Sequence, residues 1–328
     1  MPIPTVSTIL PNYNYARFIG ETIESVMKQT YTDHELIIVD DGSTDNSIEV
    51  ISSYEARYPG RIRLVKKANG GLPSARNAAL ALCRGQFIAF LDSDDLWHED
   101  YLRTMVSFFE QNPDAVAAYA NAELFDSDSG RTLGHWFGPR SFRTAYSGRC
   151  ADKLFTRGNF IPIVTAMIRR EVLDKVGVFD EHYRVGEDWD FWLRVASRFD
   201  IHYIDRSLCR IRRHPKNLSF LPLNSYNKLR IYRKILRWNP ELAGWIGKDG
   251  LDWAWYCAYY EVGRVLTLQG KGRRGRMFFR KALSVKSDFR RVRFWLFYPL
   301  TFLPRSMALH KVRQQVVRLR QALNPRAH

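Results

Sequence analysis

The feature that most constrains the fold is the alternation of short apolar runs with amphipathic segments in the first half of the chain. Runs at residues 6–10, 36–39 and 87–91 are predicted to be strands, and residues 15–29 place apolar side chains at helical spacing. The runs do not alternate with polar residues, which is typical of parallel strands buried on both faces. This order predicts an α/β fold with a mostly parallel sheet flanked by helices.

The rest of the chain predicts an insertion and a second region. Further strands are expected at residues 62–65, 116–121 and 163–168. Residues 127–160 are rich in Gly, Ser and Arg, as expected of a loop or a substrate-facing insertion. Later segments at 252–269 and 273–283 have helical spacing and flank a Gly-Lys-Gly turn, so the pair resembles one helical hairpin. We therefore predict an α/β domain over residues 1–219 and a mainly helical region over residues 220–328.

Carboxylates follow two of the predicted strands. Asp40 and Asp41 come after the second strand, and Asp92, Asp94 and Asp95 come after the fourth. In parallel α/β sheets, ligands bind beyond the carboxyl ends of the strands. Clustered carboxylates repel one another unless a cation lies among them, and hard oxygen ligands suit Mg²⁺ or Mn²⁺ held together with substrate phosphates. A solvated turn with helix-capping aspartates is the alternative, but the preceding buried strand favours a metal site.

Asp41 and Arg76 are candidates for the nucleotide side of such a site. A carboxylate at a strand end can accept a hydrogen bond from a nucleobase N–H, although a capped βα turn explains the same residues. Gly70 and Gly71 precede a predicted helix at 73–84, where backbone N–H groups can meet an anion and Arg76 can reach a phosphate. The glycine pair alone is weak evidence.

A second acidic pair and one histidine complete the candidate residues. Glu187 and Asp188 open a predicted helix, where acids also favour the helix dipole. The functional interpretation is a general base that removes the proton of an incoming hydroxyl, with Trp189 beside it to stack on a sugar. His214 is a candidate third metal ligand because neutral imidazole binds divalent ions, although a lone histidine is more often structural.

Positive charge is concentrated towards the C-terminal end. From Arg206 onward there are 28 Lys and Arg against 5 Asp and Glu, and the whole chain has a formal net charge of +16. This asymmetry indicates an acidic partner. An anionic lipid surface beside a lipid-linked acceptor and a solvated helical face are both retained as interpretations, with acidic polysaccharide as a third. Nucleic acid is not expected, because no recognised binding module accompanies the bases.

Cysteines and apolar segments indicate the compartment. The four cysteines, at positions 83, 150, 209 and 257, form no C-x-x-C pair, so we expect reduced thiols in a cytoplasmic protein. The first residues lack the basic and apolar parts of a signal peptide. The longest apolar run, residues 294–304, contains two prolines and is too short to span a bilayer. It can lie on a membrane surface, so peripheral attachment to the inner face of the cell membrane stays open.

Taken together, these motifs resemble those of the family 2 glycosyltransferases with the GT-A fold, of the type that assembles bacterial cell-surface glycans. The resemblance covers residues 4 to about 219. The matching segments are Val6-Ser-Thr-Ile-Leu-Pro-Asn-Tyr-Asn14, Gln29-Thr30, Glu35-Leu-Ile-Ile-Val-Asp-Asp-Gly-Ser-Thr-Asp45, Gly71-Leu-Pro-Ser-Ala-Arg-Asn77, Phe90-Leu-Asp-Ser-Asp-Asp95, Val176-Gly-Val-Phe-Asp180, Glu187-Asp-Trp-Asp190 and Arg213-His214. Each one is weak, but their order and spacing together are specific.

The resemblance implies donor-binding roles for five residues. Pro11, Tyr13 and Asp41 match positions that hold the base and ribose of a nucleotide. Arg76 matches a basic position near the nucleotide, and Asp92 is the first carboxylate of the D-x-D pair. A nucleotide-sugar donor is the expected ligand, and we expect UDP as its nucleotide.

The resemblance also implies the metal ligands, the catalytic base and the reaction. Asp94, Asp92 and His214 are the expected ligands of Mn²⁺ or Mg²⁺, and Asp188 of the Glu187-Asp188 pair is the expected catalytic base. The implied reaction is metal-dependent transfer of a hexosyl group, with inversion, to a hydroxyl of a glycan or lipid-linked acceptor. A non-catalytic sugar-nucleotide binding protein and a sugar nucleotidyltransferase are the alternatives. The intact acidic pair disfavours the first, and the lack of a glycine-rich basic loop after the first strand disfavours the second.

Overall fold

A computed structural model describes residues 3–138, 141, 143–215, 217, 224–285, 298 and 301 of the 328-residue chain. The chain divides into two compact units, Met1–Phe220 and Leu221–His328. The predicted division lies one residue from this boundary, and the functional roles assigned to the two parts stay predictions.

The first unit alternates strands and helices along most of its length. Its strands are β1 Val6–Asn12, β2 His34–Asp40, β3 Ile62–Lys66, β4 Phe87–Phe90, β5 Leu96–Trp97, β6 Ala117–Asp126, β7 Thr132–His135, β8 Ala166–Arg169 and β9 His202–Arg213. Its helices are α1 Ala16–Met27, α2 Ser47–Arg57, α3 Leu72–Leu80, α4 Tyr101–Gln111, α5 Ala151–Arg157, α6 Val172–Val176 and α7 Glu187–Ala196.

The strands of the described residues form one sheet. Their order is β3–β2–β1–β4–β8–β6–β9–β5, with β7 paired to β6. Strands β3, β2, β1 and β4 are parallel, whereas β8 runs antiparallel to both β4 and β6. The predicted α/β class is confirmed, and the parallel part of the sheet contains the two strands that precede the acidic motifs.

The adjacent parallel strands β1 and β2 are buried, as their largely apolar sequences require. Every residue of β1 and β2 is buried, and a buried polar side chain is usually hydrogen-bonded within the protein. Glu35 in β2 accepts a hydrogen bond from Ser7 Oγ at 2.7 Å and forms an ion pair with the Arg84 guanidinium at 2.7 Å. This buried polar side chain is therefore accommodated without breaking the strand.

Two regions differ from the sequence expectation. The segment 127–160 was expected to be a loop or insertion, and it contains the short strand β7 and the helix α5. The strand expected at 163–168 starts later, because Ile163–Thr165 form a 3₁₀ turn and only Ala166–Arg169 pair as β8. Pro162 causes this shift: its carbonyl accepts hydrogen bonds from both the backbone N–H and the hydroxyl of Thr165.

The second unit is helical over its described residues. It contains α8 Asn224–Trp238, α9 Glu241–Leu268 and α10 Gly272–Val285. Helices α9 and α10 form the predicted hairpin and approach closely at Gly263 and Gly275, where a Cβ would meet Phe279 or Thr267. The apolar run at 294–304 lies outside the described residues except for positions 298 and 301.

None of the described helices combines the length and the hydropathy that crossing a bilayer requires.

Candidate functional site

The sheet brings the ends of β1, β2 and β4 to one edge. Asn12 at the end of β1 is in register with Asp40 at the end of β2, and Leu91 donates its N–H to the carbonyl of Ile9 just beyond β4. Strand β1 lies between the other two, so the tips that precede Asp41 and Asp92 are about 10 Å apart rather than adjacent. The strand order also changes direction at β1, which is where open α/β sheets bind their ligands.

Asp41 organises the loop that leads into α3. Its buried carboxylate accepts hydrogen bonds from Lys67 Nζ at 2.7 Å, from the Gly70 N–H at 2.9 Å and from the Gly71 N–H at 2.7 Å. The φ of +89° at Gly71 favours glycine at this position. An ionised carboxylate has about four lone-pair positions. Lys67 and the two glycines occupy three of them, so a ligand that donates to Asp41 would bind next to these three donors.

Pro11 and Tyr13 occupy different environments. Pro11 is buried within β1, and its carbonyl accepts a hydrogen bond from Ser93 Oγ at 2.5 Å. Tyr13 lies just beyond β1 and is 44% exposed. The next residue, Asn14, accepts a hydrogen bond from the Thr44 N–H at 2.7 Å, which ties this turn to the loop after β2. Tyr13 is therefore the accessible member of the pair.

Arg76 connects the two acidic motifs. Its fully buried guanidinium donates from Nη2 to Asp92 Oδ1 at 2.7 Å and from Nη1 to Glu187 Oε1 at 2.6 Å. Burial lowers the pKa of Arg76, but the nearby Asp92, Glu187 and Asp188 outweigh it and raise the pKa above its ordinary value. The sequence-based assignment of Arg76 to a donor phosphate stays untested, and its contacts place it as an internal bridge.

Asp94 and His214 meet on the far side of the D-x-D motif. His214 Nε2 lies 2.8 Å from Asp94 Oδ2, and Asn217 Nδ2 lies 3.2 Å from the same oxygen. The ring of Tyr15 contacts the imidazole edge-on, with centroids 5.9 Å apart. Burial, followed by the charges of Asp94 and Asp92, raises the pKa of Tyr15. Residues from the start of α1, the β4 end and the β9 end thus share one cluster.

Asp95 and Arg212 hold that cluster together. Asp95 Oδ1 accepts the backbone N–H of Arg212 at 2.8 Å, and Arg212 Nε donates to the carbonyl of Asp94 at 2.8 Å. Burial, and then the charges of Asp94 and Asp92, raise the pKa of Asp95 well above its ordinary value. Asp95 therefore fixes the loop from inside, and Asp92 and Asp94 present their carboxylates.

The donor set fits a small divalent ion that also binds phosphate. The described residues contain no group of three or more His, Cys, Asp or Glu side chains placed to share an ion. However, two atoms in adjacent octahedral positions around an ion at about 2.1 Å are about 3 Å apart, close to the 2.8 Å between Asp94 Oδ2 and His214 Nε2. Asp92 Oδ2 accepts no hydrogen bond from the described residues. One or two carboxylates plus substrate phosphates form the usual Mg²⁺ site.

Glu187 and Asp188 have different environments although they are adjacent. Gly186 takes a left-handed conformation just before α7, and Glu187 is then buried against Arg76. Asp188 is only half-buried, with Oδ2 accepting from Asn159 Nδ2 at 2.8 Å and Oδ1 accepting from the Trp189 N–H at 2.7 Å. Burial, only partly opposed by Arg76, raises the pKa of Asp188. Asp188 is thus the more accessible carboxylate, and burial, followed by the charge of Asp188, raises the pKa of Glu187 to about 7.

Trp189 lies in the interior rather than at an open face. Its side chain is 4% exposed, and its indole N–H donates to the carbonyl of Leu154 at 3.0 Å. These contacts do not favour the expected stacking on a sugar. The backbone of Trp189, by contrast, directly contacts the Asp188 carboxylate.

Sequence reasoning missed several residues of the site. Lys67 beside Asp41, Asn159 beside Asp188 and Asn217 beside Asp94 make direct contacts with predicted residues. The spacing of Asn217 from His214, three residues, was an available signal. Lys67 and Asn159 are brought in by β3 and by the loop after α5, and no local pattern marks them.

Comparison with known sequences gives a consistent family. The family described as Glycosyl transferase family 2 matches residues 7–177. An uncharacterised glycosyltransferase of Nostoc sp. is 34% identical over 226 residues, covering 68% of this chain and 66% of the relative. A chondroitin synthase of Pasteurella multocida is 39% identical over 226 residues, covering 69% of this chain and 22% of the relative. The chain thus aligns with only part of the length of these relatives.

Solved structures show the same fold at low sequence identity. Residues 1–349 of S. aureus TarS, in complex with UDP-GlcNAc, give a TM-score of 0.58 at 18% identity, with 90% of each chain covered. A mannosyltransferase from Pyrobaculum calidifontis, in complex with GDP-Man and Mn²⁺, gives 0.57 at 16% identity, covering 97% of this chain and 88% of that one. The GT-A fold is confirmed. Because the sequence match extends over half of the chain and includes both strand-end acidic motifs, this chain belongs to glycosyl transferase family 2.

Proposed function

We propose that this chain is a metal-dependent, inverting hexosyltransferase that moves a sugar from a UDP-sugar to an acceptor hydroxyl. The observation that carries the proposal is the bridge from Asp92 through Arg76 to Glu187. It connects the motif expected at the donor diphosphate with the motif expected at the acceptor. A group transfer requires these two ends to lie side by side.

Donor binding is assigned to the edge beyond β1 and β2. Tyr13 is accessible there, Asp41 shapes the adjoining loop, and Pro11 supports the turn from within the strand. The similar TarS fragment binds UDP-GlcNAc and the similar mannosyltransferase binds GDP-Man. These ligands support a nucleotide-sugar donor, and UDP is our choice between the two nucleotides.

Asp188 acts as the general base. Its carboxylate takes the proton of the acceptor hydroxyl, while the hydroxyl oxygen bonds to the anomeric carbon and the bond from that carbon to the diphosphate oxygen breaks. Attack opposite to the leaving group inverts the anomeric centre. The raised pKa of Asp188, caused first by burial, makes it a stronger base than an exposed aspartate. Trp189 positions it through the backbone N–H.

Asp94 and His214, with Asp92, hold Mn²⁺ or Mg²⁺ in this proposal. When bound, the ion neutralises the charge that develops on the diphosphate leaving group. The chain's own contribution is a loop fixed by Asp95 and Arg212 that keeps these side chains in place. The Mn²⁺ in the similar mannosyltransferase supports this choice of ion.

The setting that we propose is bacterial surface polysaccharide or glycolipid assembly, on the cytoplasmic side of the membrane. The similarity to a chondroitin synthase supports a polysaccharide product. Helix α10 supports contact with anionic lipid, since it buries Gly275, Phe279 and Ala282 and carries a basic surface. The bases of that surface line one concavity: Arg273, Arg274, Arg276, Arg280 and Lys281. Such bases contribute about 1 kcal/mol each near an anionic membrane.

A donor panel tests the reaction. The full chain is incubated with UDP-, GDP- and dTDP-sugars, with and without Mn²⁺, and release of the nucleoside diphosphate is measured. We expect Mn²⁺-dependent hydrolysis or transfer with one UDP-sugar. Binding without any turnover would identify a sugar-nucleotide binding protein instead. Release of pyrophosphate from a nucleoside triphosphate and a sugar phosphate would identify a nucleotidyltransferase.

Sedimentation with vesicles tests the membrane contact. We expect the full chain to sediment with vesicles of phosphatidylglycerol and phosphatidylcholine at low salt, and not with phosphatidylcholine alone. Replacing Arg273, Arg274 and Arg280 by Gln should reduce the bound fraction severalfold. An equal bound fraction for the triple variant would contradict a role for α10.

A further inference from the structure

Two arginines contact the ring of one tryptophan, Trp136. The guanidinium carbon of Arg143 lies 3.9 Å from the ring centroid of Trp136, and that of Arg213 lies 5.7 Å from it. They come from the 127–160 insertion and from the end of β9. The proposed donor, metal and base assignments use neither of them.

Neither guanidinium has an ion-pair partner among the described residues. Their neighbours on β9 do: Arg210 pairs with Glu123, and Arg212 pairs with Glu21 at 2.6 Å. Burial, and then the charge of Arg213, lower the pKa of Arg143. Burial also lowers the pKa of Arg213, and the charges of Asp95 and Asp94 oppose it only in part. Since arginine stays charged, a bound anion would stabilise both cations.

Hydrogen bonds hold Trp136 and the backbone of Arg143 in place. The Trp136 indole N–H donates to the carbonyl of Phe160 at 2.9 Å, and its backbone N–H donates to Ala122 on β6 at 2.7 Å. Ser141 Oγ donates to the Trp136 carbonyl at 2.6 Å and accepts the N–H of Arg143 at 3.1 Å. An ordered cation on an aromatic face loses little conformational freedom on binding an anion.

The position of the cluster connects it to both ends of the proposed reaction. Phe160, which anchors Trp136, follows Asn159, which donates to the Asp188 carboxylate at 2.8 Å. Arg213 precedes His214, which contacts Asp94. An anion held by the cluster would therefore belong to a molecule whose hydroxyl is presented to Asp188.

We infer that Trp136, Arg143 and Arg213 bind an anionic group of the acceptor, a carboxylate or a phosphate on the sugar that receives the new linkage. This inference rests on the proposed function and narrows its substrate class to acidic acceptors. Paired guanidinium groups suit such anions because they donate several charge-assisted hydrogen bonds in a fixed plane.

Matched ligand pairs test it by calorimetry on the full chain, with UDP and Mn²⁺ present so that the donor side is filled. One pair is p-nitrophenyl β-D-glucuronide against p-nitrophenyl β-D-glucoside, which differ only by the carboxylate. The other is α-D-glucose 1-phosphate against methyl α-D-glucoside. We expect the acid of at least one pair to bind about 10-fold more tightly than its neutral partner, the size of one charged hydrogen bond. The pair that shows the preference tells carboxylate from phosphate.

Three variants show whether the cluster causes the preference. Arg143→Gln and the double variant Arg143→Gln/Arg213→Gln should lose most of it, whereas Arg131→Gln, an exposed arginine of the same insertion, should keep it. The absence of a preference in the wild type, or its persistence in the double variant, overturns the inference. So does competition between UDP and the acids, which would assign the cluster to the donor diphosphate. The donor panel tests the proposed transferase reaction independently of these ligands. Mn²⁺-dependent turnover in that panel, together with no preference for the acidic ligands, would refute the acidic acceptor and leave the transferase proposal standing.

Discussion

His214 Nε2 lies 2.8 Å from Asp94 Oδ2, although 120 residues separate them in the chain. The contact joins the loop after β4 to the end of β9. It depends on Arg212 and Asp95, which fasten the two segments beside it. Residues that resemblance assigned to one metal shell are therefore neighbours in the structure.

The first prediction concerns metal and donor together. Asp94→Ala should remove the Mn²⁺-dependent part of UDP affinity, because this carboxylate is the proposed ligand of the ion. His214→Ala should weaken the Mn²⁺ dependence without removing it. Calorimetric titration of UDP with Mn²⁺ and with EDTA measures both effects, with the exposed Asp174→Asn as a control. Unchanged affinity in Asp94→Ala would exclude it as a ligand.

The second prediction isolates the base. Asp188→Asn should fold normally and bind UDP, yet lose transfer by about 10²–10⁴-fold, the usual contribution of a positioned general base. Circular dichroism and UDP calorimetry serve as the fold and binding controls, and nucleoside diphosphate release gives the rate. Turnover within a few-fold of the wild type would remove Asp188 from this role.

The third prediction concerns the buried bridge. Arg76→Met leaves Asp92 and Glu187 without their shared cation, and breaking a buried ion pair in this way costs about 3–5 kcal/mol of unfolding free energy. Arg57→Met is the matched control, because its ion pair with Glu24 is at the surface and should contribute less than about 1 kcal/mol. Urea denaturation compares them, and equal losses would contradict the bridge.

The fourth prediction is a pH dependence of stability. Burial, and then Arg61, lower the pKa of His34 from 6.5 to about 4. Between pH 6.5 and about pH 4, His34 is protonated in the unfolded chain but neutral in the folded protein. The free energy of unfolding therefore falls as the pH falls through this range and levels off near pH 4. The loss contributed by His34 approaches about 3 kcal/mol.

Denaturation at pH 7 and pH 5 checks this sign. His34→Gln should show a smaller loss of unfolding free energy between the two pH values than the wild type. The exposed His182→Gln should behave as the wild type does. A His34→Gln loss equal to that of the wild type would show that other groups dominate the acid response.

The fifth prediction tests the close approach of α9 and α10. A Cβ at Gly275 would lie 2.6 Å from Thr267 Oγ1 and 3.1 Å from the Gly263 carbonyl, so Gly275→Ala should destabilise the protein by about 1–3 kcal/mol through overpacking. Gly244→Ala meets nothing within 4 Å and should be neutral or stabilising by up to about 1 kcal/mol. Thermal unfolding distinguishes the two, and equal midpoints would refute the contact.

The sequence alone predicted much of the first unit. Apolar runs located β1, β2 and β4 because strands buried on both faces leave a signal that depends only on local residues. The same logic placed Asp41 and Asp92 at strand ends. It did not foresee the late start of β8, since the hydrogen bonds from Thr165 to Pro162 compete with strand pairing.

What the sequence by itself determined was therefore the identity of the strands, the hairpin of α9 and α10, and the acidic residues at the strand tips. Only the tertiary structure decided that β1 separates those tips, that Arg76 joins Asp92 to Glu187, and that Trp189 lies inside. The physical reason is the separation of the interacting residues along the chain. Periodicity and helix capping depend on residues that are close together in the chain. The contacts of Arg76 with Asp92 and Glu187 join distant segments and form only when the sheet and its helices are assembled.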